Sequence, residues 1–205
     1  MDNTQQLIQH RYDRFAWLYE TSSGLLNWFG VVRYRQRVFR EATGTILEVA
    51  IGTGRNLQFY PKESAVTAVD ISQKMLSYAR KRAARLGLGV KLQAADAAKL
   101  PFAASSFDTV TSSLSTCTFP DPVTVLKEMK RVCRPDGQIL LLEHGRSSLG
   151  WVAKRQDNKA ARRSAGDFHC WPNRDPVKLA RQAGLVIEKV ERPLWGYFYL
   201  IWARP

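Results

Sequence analysis

The 205-residue chain has only three cysteines, Cys117, Cys133 and Cys170, an odd number without the short paired spacing of metal-binding motifs. Neither a disulfide framework nor a zinc site is indicated, and a reducing cytoplasm suits such a chain. No stretch reaches the roughly 18 uninterrupted apolar residues of a membrane span. The opening Met1-Asp-Asn-Thr-Gln-Gln6 has no basic segment ahead of an apolar core, so no secretory leader is expected either. Repeats, low-complexity tracts and sharp breaks in composition are also missing, which leaves a single domain as the expected organisation. Acidic residues are scarce, 18 Asp and Glu against 31 Lys and Arg, and the net charge is +13. A field of that sign attracts polyanions or an anionic membrane surface.

Hydrophobic residues make up 45% of the chain and are distributed in short periodic runs. Residues 4–41 read as helical, with apolar clusters at Phe15–Tyr19 and from Leu25 to Phe39, interrupted at Ser22-Ser-Gly24. From Thr45 the pattern changes to strands alternating with helices, as in a parallel sheet with covering helices. Strands are expected at 46–50, 66–70, 90–94, 107–113 and 138–143, and helices after Gly54, at 72–85 and at 121–132. A basic, irregular stretch over 146–173 follows. A helix at 175–183 then leads into two runs, 186–191 and 197–203, that read as a closing hairpin.

Three loops carry chemistry. The strand Ile46–Ala50 runs into Ile51-Gly-Thr-Gly54, where glycines let backbone approach a ligand. Sixteen residues beyond Gly54 the second strand ends in Asp70, the position at which Rossmann-type sites meet a ribose diol; capping of the next helix falls to Ser72. After the third strand, Asp96-Ala97 precedes the apolar Leu100-Pro-Phe102, a carboxylate suited to an adenine amino group. Ligands of open α/β sheets bind beyond the carboxyl ends of the strands, so Gly52, Gly54, Asp70 and Asp96 should share one crevice. Asn56 and Leu57 follow Gly54 with no third glycine, unlike the Gly-x-Gly-x-x-Gly of nicotinamide enzymes.

Glu48-Val-Ala-Ile-Gly-Thr-Gly54, Val69-Asp-Ile-Ser72, Asp96–Phe102, Ser106–Val110 and Glu128–Gly137 together resemble the successive motifs of class I S-adenosylmethionine-dependent methyltransferases, in order across residues 45–143. Within that class the chain resembles the grouping of quinone C-methyltransferases, bacterial phosphatidylethanolamine N-methyltransferases and methyltransferase-like thiol enzymes. The resemblance implies a Rossmann-like, seven-stranded, mostly parallel sheet with helices on both faces and an antiparallel last strand. It also implies an N-terminal helical lid over 1–43, a cofactor core over 44–143 and an acceptor-side loop and hairpin over 144–205. The implied cofactor is S-adenosylmethionine, leaving as S-adenosylhomocysteine. Gly52 and Gly54 would approach its methionine part, Asp70 the ribose, and Asp96 with Ala97 the adenine, with Glu48 supporting the turn. Ala50, Asn56, Ile71, Met75 and Ser113 complete the expected cofactor set. Ala50 departs from the family, which has glycine there.

Acceptor choice is expected to lie in the N-terminal helices and the stretch after the fifth strand. Arg11–Tyr19 resembles the lead-in of the quinone and phospholipid enzymes, so its helix either lines the acceptor site with Tyr12 and Tyr19 or packs its aromatics on the domain. His144 is positioned as a base or as a loop anchor, and with Tyr19 forms the expected catalytic pair. Arg146, His169 and Arg174 join the expected substrate set, and Cys170 is either a packed cysteine or a lid contact. A second basic set, Arg146, Lys154, Arg155, Lys159, Arg162 and Arg163, lies near Trp151 and Trp171 and suits anionic headgroups. No recognition module favours nucleic acid, and no metal is expected. The expected acceptor is a small or lipid-like amphiphile: a phosphatidylethanolamine-type amine first, a quinone carbon second, a thiol third. The rival of another class is a non-catalytic protein that binds cofactor or RNA.

Overall fold

The computed structural model describes residues 10, 12–14, 30–162 and 170–205. Tyr19, His169 and Arg163, the Phe15–Tyr19 cluster and the break at residues 22–24 lie outside them. The described residues contain β1 (Thr45–Val49), β2 (Ala65–Asp70), β3 (Lys91–Ala94), β4 (Phe107–Ser113), β5 (Cys133–His144), β6 (Val186–Glu191) and β7 (Phe198–Arg204). They form one sheet in the order β3-β2-β1-β4-β5-β7-β6. From β3 to β5 all neighbours are parallel, while β7 runs antiparallel between β5 and β6. The chain winds to one side from β1 to β3 and to the other from β4 onward, so the crevice of a doubly wound sheet is expected beyond the carboxyl ends of β1 and β4.

Burial on both faces follows from strand geometry, in which successive side chains point to opposite sides. In β5, Ile139 and Leu141 pack in one core with Val125, Leu126, Met129 and Ala180. Leu140 and Leu142 pack in the other with Val38, Phe39, Leu76 and Ala79. The first core is covered by α3 (Pro122–Val132) and α5 (Pro176–Gln182), the second by α1 (Val32–Phe39) and α2 (Gln73–Leu86).

Local signals set the helix ends. Ser72 accepts the Met75 amide at 3.0 Å to start α2, and Gly87, left-handed at φ 67°, ends it. Asp121 and Asp175 cap α3 and α5, each followed by a proline that needs no hydrogen-bonded amide there. Near the N-terminus, helical residues 12–14 reach the start of α2, where Asp13 accepts from the Ser72 hydroxyl at 2.5 Å and the Lys74 amide at 3.2 Å.

Two elements differ from the sequence reading. The helix expected after Gly54 is a single 3-10 turn, Leu57–Phe59, because Tyr60 turns extended ahead of Pro61 and leaves no room for more. The stretch expected to be irregular contains α4 (Gly150–Ala161), a helix with no broad apolar stripe. It buries Ala153 and Gln156, and Gln156 anchors it by accepting from the Ser147 amide and donating to the Gly145 carbonyl at 2.8 and 2.9 Å.

Gly54 belongs to the packing of the first turn. At φ +77°, a Cβ there would stand 3.2 Å from Ala79 Cα and 3.0 Å from Leu57 Cδ1. Gly54→Ala is therefore expected to cost about 1–3 kcal/mol and to lower Tm by roughly 3–10 °C in thermal unfolding; an unchanged Tm would show that turn and helix separate freely.

Candidate active site

The turn after β1 meets the end of β2 through one carboxylate. Asp70 accepts the Gly52 amide at 2.8 Å through one oxygen and the Ser72 amide at 2.9 Å through the other. It is only 8% exposed, and burial raises its pKa to about 6 against the opposing pull of those two amides. Ala50 precedes this turn in the left-handed region at φ 57°, and Leu114, at the end of neighbouring β4, does the same at φ 54°. Two strained non-glycine residues thus stand at the adjoining ends of β1 and β4, where such conformations concentrate in functional sites.

Beyond these strand ends lies a crevice of 640 Å³, within the range typical of small-molecule sites. One end is lined by Ala50, Gly52, Asp70, Ile71, Met75, Asp96 and Ala97. The Asp96 carboxylate holds its own loop, accepting the Ala98 amide at 2.9 Å. Gly52, at φ 56°, has open space where a Cβ would stand. Tyr12 and Ser113 also line the crevice, and its other end is lined by Cys117, Phe119, His144, Cys170, Tyr197 and Phe198.

Three of the residues expected at the cofactor are placed behind this wall. Glu48, 1% exposed, accepts from the Asn56 side chain at 2.6 Å, and Asn56 also donates to Ser113 Oγ at 3.0 Å. Arg35 of α1 closes the network, donating to Asn56 Oδ1 and, at 2.9 Å, to Ser113 Oγ. Burial pushes Glu48 up to about 7. These groups brace the turn from below, and Gly54 packs against α2, because the strand that presents Gly52 to the crevice turns Glu48 inward.

Arg146 and Arg174, expected at the substrate, are also absent from the lining. Arg146 pairs with Asp157 of α4 at 2.9 Å. Arg174 Nη1 donates to the Thr116 and Phe119 carbonyls at 2.6 and 2.7 Å while its guanidinium stacks over Trp171. The neighbours of Arg174 are likewise structural: Asn173 donates to Asp157 at 3.1 Å and Asp175 caps α5. A cation with carbonyl or carboxylate partners within reach satisfies its donors there.

Sequence reasoning missed Glu143, Cys117 and Tyr197. Glu143 is fully buried, held near pKa 7 by desolvation, and accepts the Ser115 and Thr116 amides at 3.0 and 3.2 Å. It thereby fixes the loop that carries Cys117. His144 Nε2 stands 3.3 Å from Cys170 Sγ, and its ring stacks on Tyr197 at 6.0 Å. His144 Nδ1 is buried without a hydrogen-bond partner among the described residues. Burial alone would lower the histidine pKa, but the Cys170 sulfur and Glu143 outweigh it and raise it. The Glu143-His144 pair was visible at a strand end; nothing local marked Cys117 or Tyr197.

Residues 47–141 match the family described as methyltransferase domain. A phosphatidylethanolamine N-methyltransferase of Cereibacter sphaeroides is 39% identical over 112 residues, 54% of this chain and 55% of that protein. A demethylmenaquinone methyltransferase of Thermus thermophilus is 34% identical over 140 residues, 64% of this chain and 63% of that protein. Neither relative is spanned to two thirds of its length. The crystal structure of the PH0226 protein from Pyrococcus horikoshii superposes with a TM-score of 0.62 at 25% identity, covering 78% of this chain and 81% of that one. Residues 47–141 thus match the methyltransferase domains, and the seven-stranded order is the class I topology that the sequence motifs imply, with S-adenosylmethionine as the cofactor. The crevice suits that cofactor, with an open glycine turn and the carboxylates of Asp70 and Asp96 on one wall.

Two expectations follow. An ionised Asp70 accepts hydroxyl donors more strongly than its protonated form, so affinity for S-adenosylhomocysteine, measured by calorimetry, should fall as pH drops through about 6. Asp70→Asn should weaken binding more than about tenfold above that pH and remove the inflection; an unchanged inflection would place the titrating group elsewhere. Ala50→Gly should relieve about 1 kcal/mol of left-handed strain and raise Tm by roughly 2–4 °C, whereas a lower Tm would refute strain at this turn.

Proposed function

We propose that this chain transfers the methyl group of S-adenosylmethionine to a lipid-like amphiphile at an anionic membrane surface, with a phosphatidylethanolamine-type amine as acceptor. The observation that carries this reading is an exposed aromatic and basic surface beside the acceptor end of the crevice. Trp151 is 71% exposed at the start of α4 and Trp195 65% exposed in the turn before β7. That turn is tied to the start of α4, since the Trp195 carbonyl accepts from the Ser148 amide at 2.8 Å. Lys154, Arg155, Lys159 and Arg162 stand exposed along or just after α4. Two and three residues beyond Trp195, Tyr197 and Phe198 line the crevice. Aromatics flanked by cations suit an interface with anionic headgroups, and among the described residues no helix is long and apolar enough to cross a membrane.

When bound, S-adenosylmethionine supplies a methyl group already activated by its sulfonium. The chain's own residues have to orient the acceptor, exclude water and receive a proton. Leu114, Phe119, Tyr197 and Phe198 give the acceptor end apolar walls, which suit an acyl-bearing molecule. An ammonium must lose its proton before its nitrogen can attack, and the His144 imidazole is the group there able to take it, since Cys170 and burial hold the Cys117 thiol protonated. The relative named phosphatidylethanolamine N-methyltransferase supports an amine over a quinone carbon.

Purified chain should transfer labelled methyl to vesicles containing phosphatidylethanolamine and an anionic lipid. Trp151→Ala with Trp195→Ala should reduce vesicle co-sedimentation and vesicle-dependent activity at least about tenfold while leaving S-adenosylhomocysteine affinity intact. Transfer to a soluble thiol or quinone with indifference to vesicles would overturn this reading.

A further inference from the structure

The acceptor end of the crevice brings together two sulfurs and an imidazole from three separate segments. Cys117 lies in the loop after β4, His144 ends β5, and Cys170 precedes α5. Cys117 Sγ, Cys170 Sγ and a ring nitrogen of His144 all lie within 4.8 Å of one another. The geometry points to a binding site for a thiophilic divalent ion, zinc in the first instance, ligated by Cys117, His144 and Cys170 with a fourth position open to the crevice.

The dimensions suit such an ion. Tetrahedral zinc with bonds of about 2.3 Å to sulfur and 2.0–2.1 Å to nitrogen sets its donors roughly 3.6–3.8 Å apart. His144 Nε2 is already 3.3 Å from Cys170 Sγ, and adjustments of an ångström or less bring the remaining pairs into that range. The scaffold holds the ligands in place without the ion. Glu143 pins the loop that carries Cys117 through the Ser115 and Thr116 amides. The Trp171 amide donates to the Cys117 carbonyl at 2.7 Å, which joins the Cys170 segment to that loop. Arg174 fastens the same loop through the Thr116 and Phe119 carbonyls.

The donor set is that of catalytic zinc. Three protein ligands, Cys2His among them, leave a position for water or substrate, whereas structural sites close with four. Soft thiolates select zinc over magnesium or calcium. All three residues line the crevice, so the open position faces the space assigned above to the acceptor. A zinc-bound water ionises near neutral pH, losing its proton to solvent, and the hydroxide left would take the acceptor's proton in place of a free imidazole. That use of the fourth position rests on the amine reading above; metal binding itself does not.

Equilibrium dialysis of the reduced, chelator-treated chain against zinc tests the site. One zinc per chain is expected, and cobalt in its place should give thiolate-to-cobalt charge-transfer absorption. Cys117→Ser and Cys170→Ser should each weaken zinc binding at least about tenfold and diminish that absorption, while S-adenosylhomocysteine binding shows that each variant is folded. The proposal is overturned if the folded, reduced chain takes up no zinc, or if both serine variants retain zinc with unchanged affinity. Zinc held by these residues in a chain that methylates no vesicle amine would sink the acceptor reading alone; vesicle methylation by a chain that takes up no zinc would sink the metal site alone.

Discussion

Asp70 joins three parts of the backbone that would otherwise be independent. One carboxylate oxygen holds the amide of Gly52 in the turn after β1, and the other holds Ser72 at the start of α2. The same side chain closes β2, whose register with β1 runs from Thr45 opposite Ala65 to Val49 opposite Val69. Through this group the sheet, the glycine turn and the helix N-terminus share one geometry. Burial holds its proton more tightly than in water, a cost sustained by two charge-assisted hydrogen bonds.

A second buried carboxylate does comparable work at the other end of the crevice. Glu143 holds the 115–117 loop from the end of β5, so the two ends are each organised by an acid at a strand terminus. The residues they present differ sharply. Near Asp70 the wall offers backbone, small side chains and acidic groups, whereas near Glu143 it offers aromatics, two thiols and an imidazole. A polar cofactor cradle thus stands beside an apolar pocket with a few soft donors.

The cofactor half was legible because its signals are local. A strand, a turn with glycines and a carboxylate at the next strand end are contiguous in sequence, and each has a physical reason to occur together. Spacing alone therefore places Asp70, Asp96 and Gly52 at the crevice. Glu48, Asn56 and Gly54 lie within the same motif, but which members of a turn face a ligand and which face the core depends on a twist that spacing does not encode. The charged residues after β5 were harder still. Arg146 and Arg174 looked suited to a substrate, yet both have partners inside the fold, and α4 left little trace in the pattern because it buries little beyond Ala153 and Gln156.

By itself the sequence determined the alternation of strands and helices, the two-faced burial of the sheet and the chemistry at the ends of the first three strands. Each of these depends on periodicity or on neighbours within a few residues. Only the tertiary structure decided that Cys117, His144 and Cys170 meet. They are separated by more than twenty residues at each step and are joined by the Glu143 carboxylate and the Trp171 amide. It also decided that the segments carrying two exposed tryptophans are joined, because the Trp195 carbonyl accepts the Ser148 amide just ahead of the helix that carries Trp151 near its start.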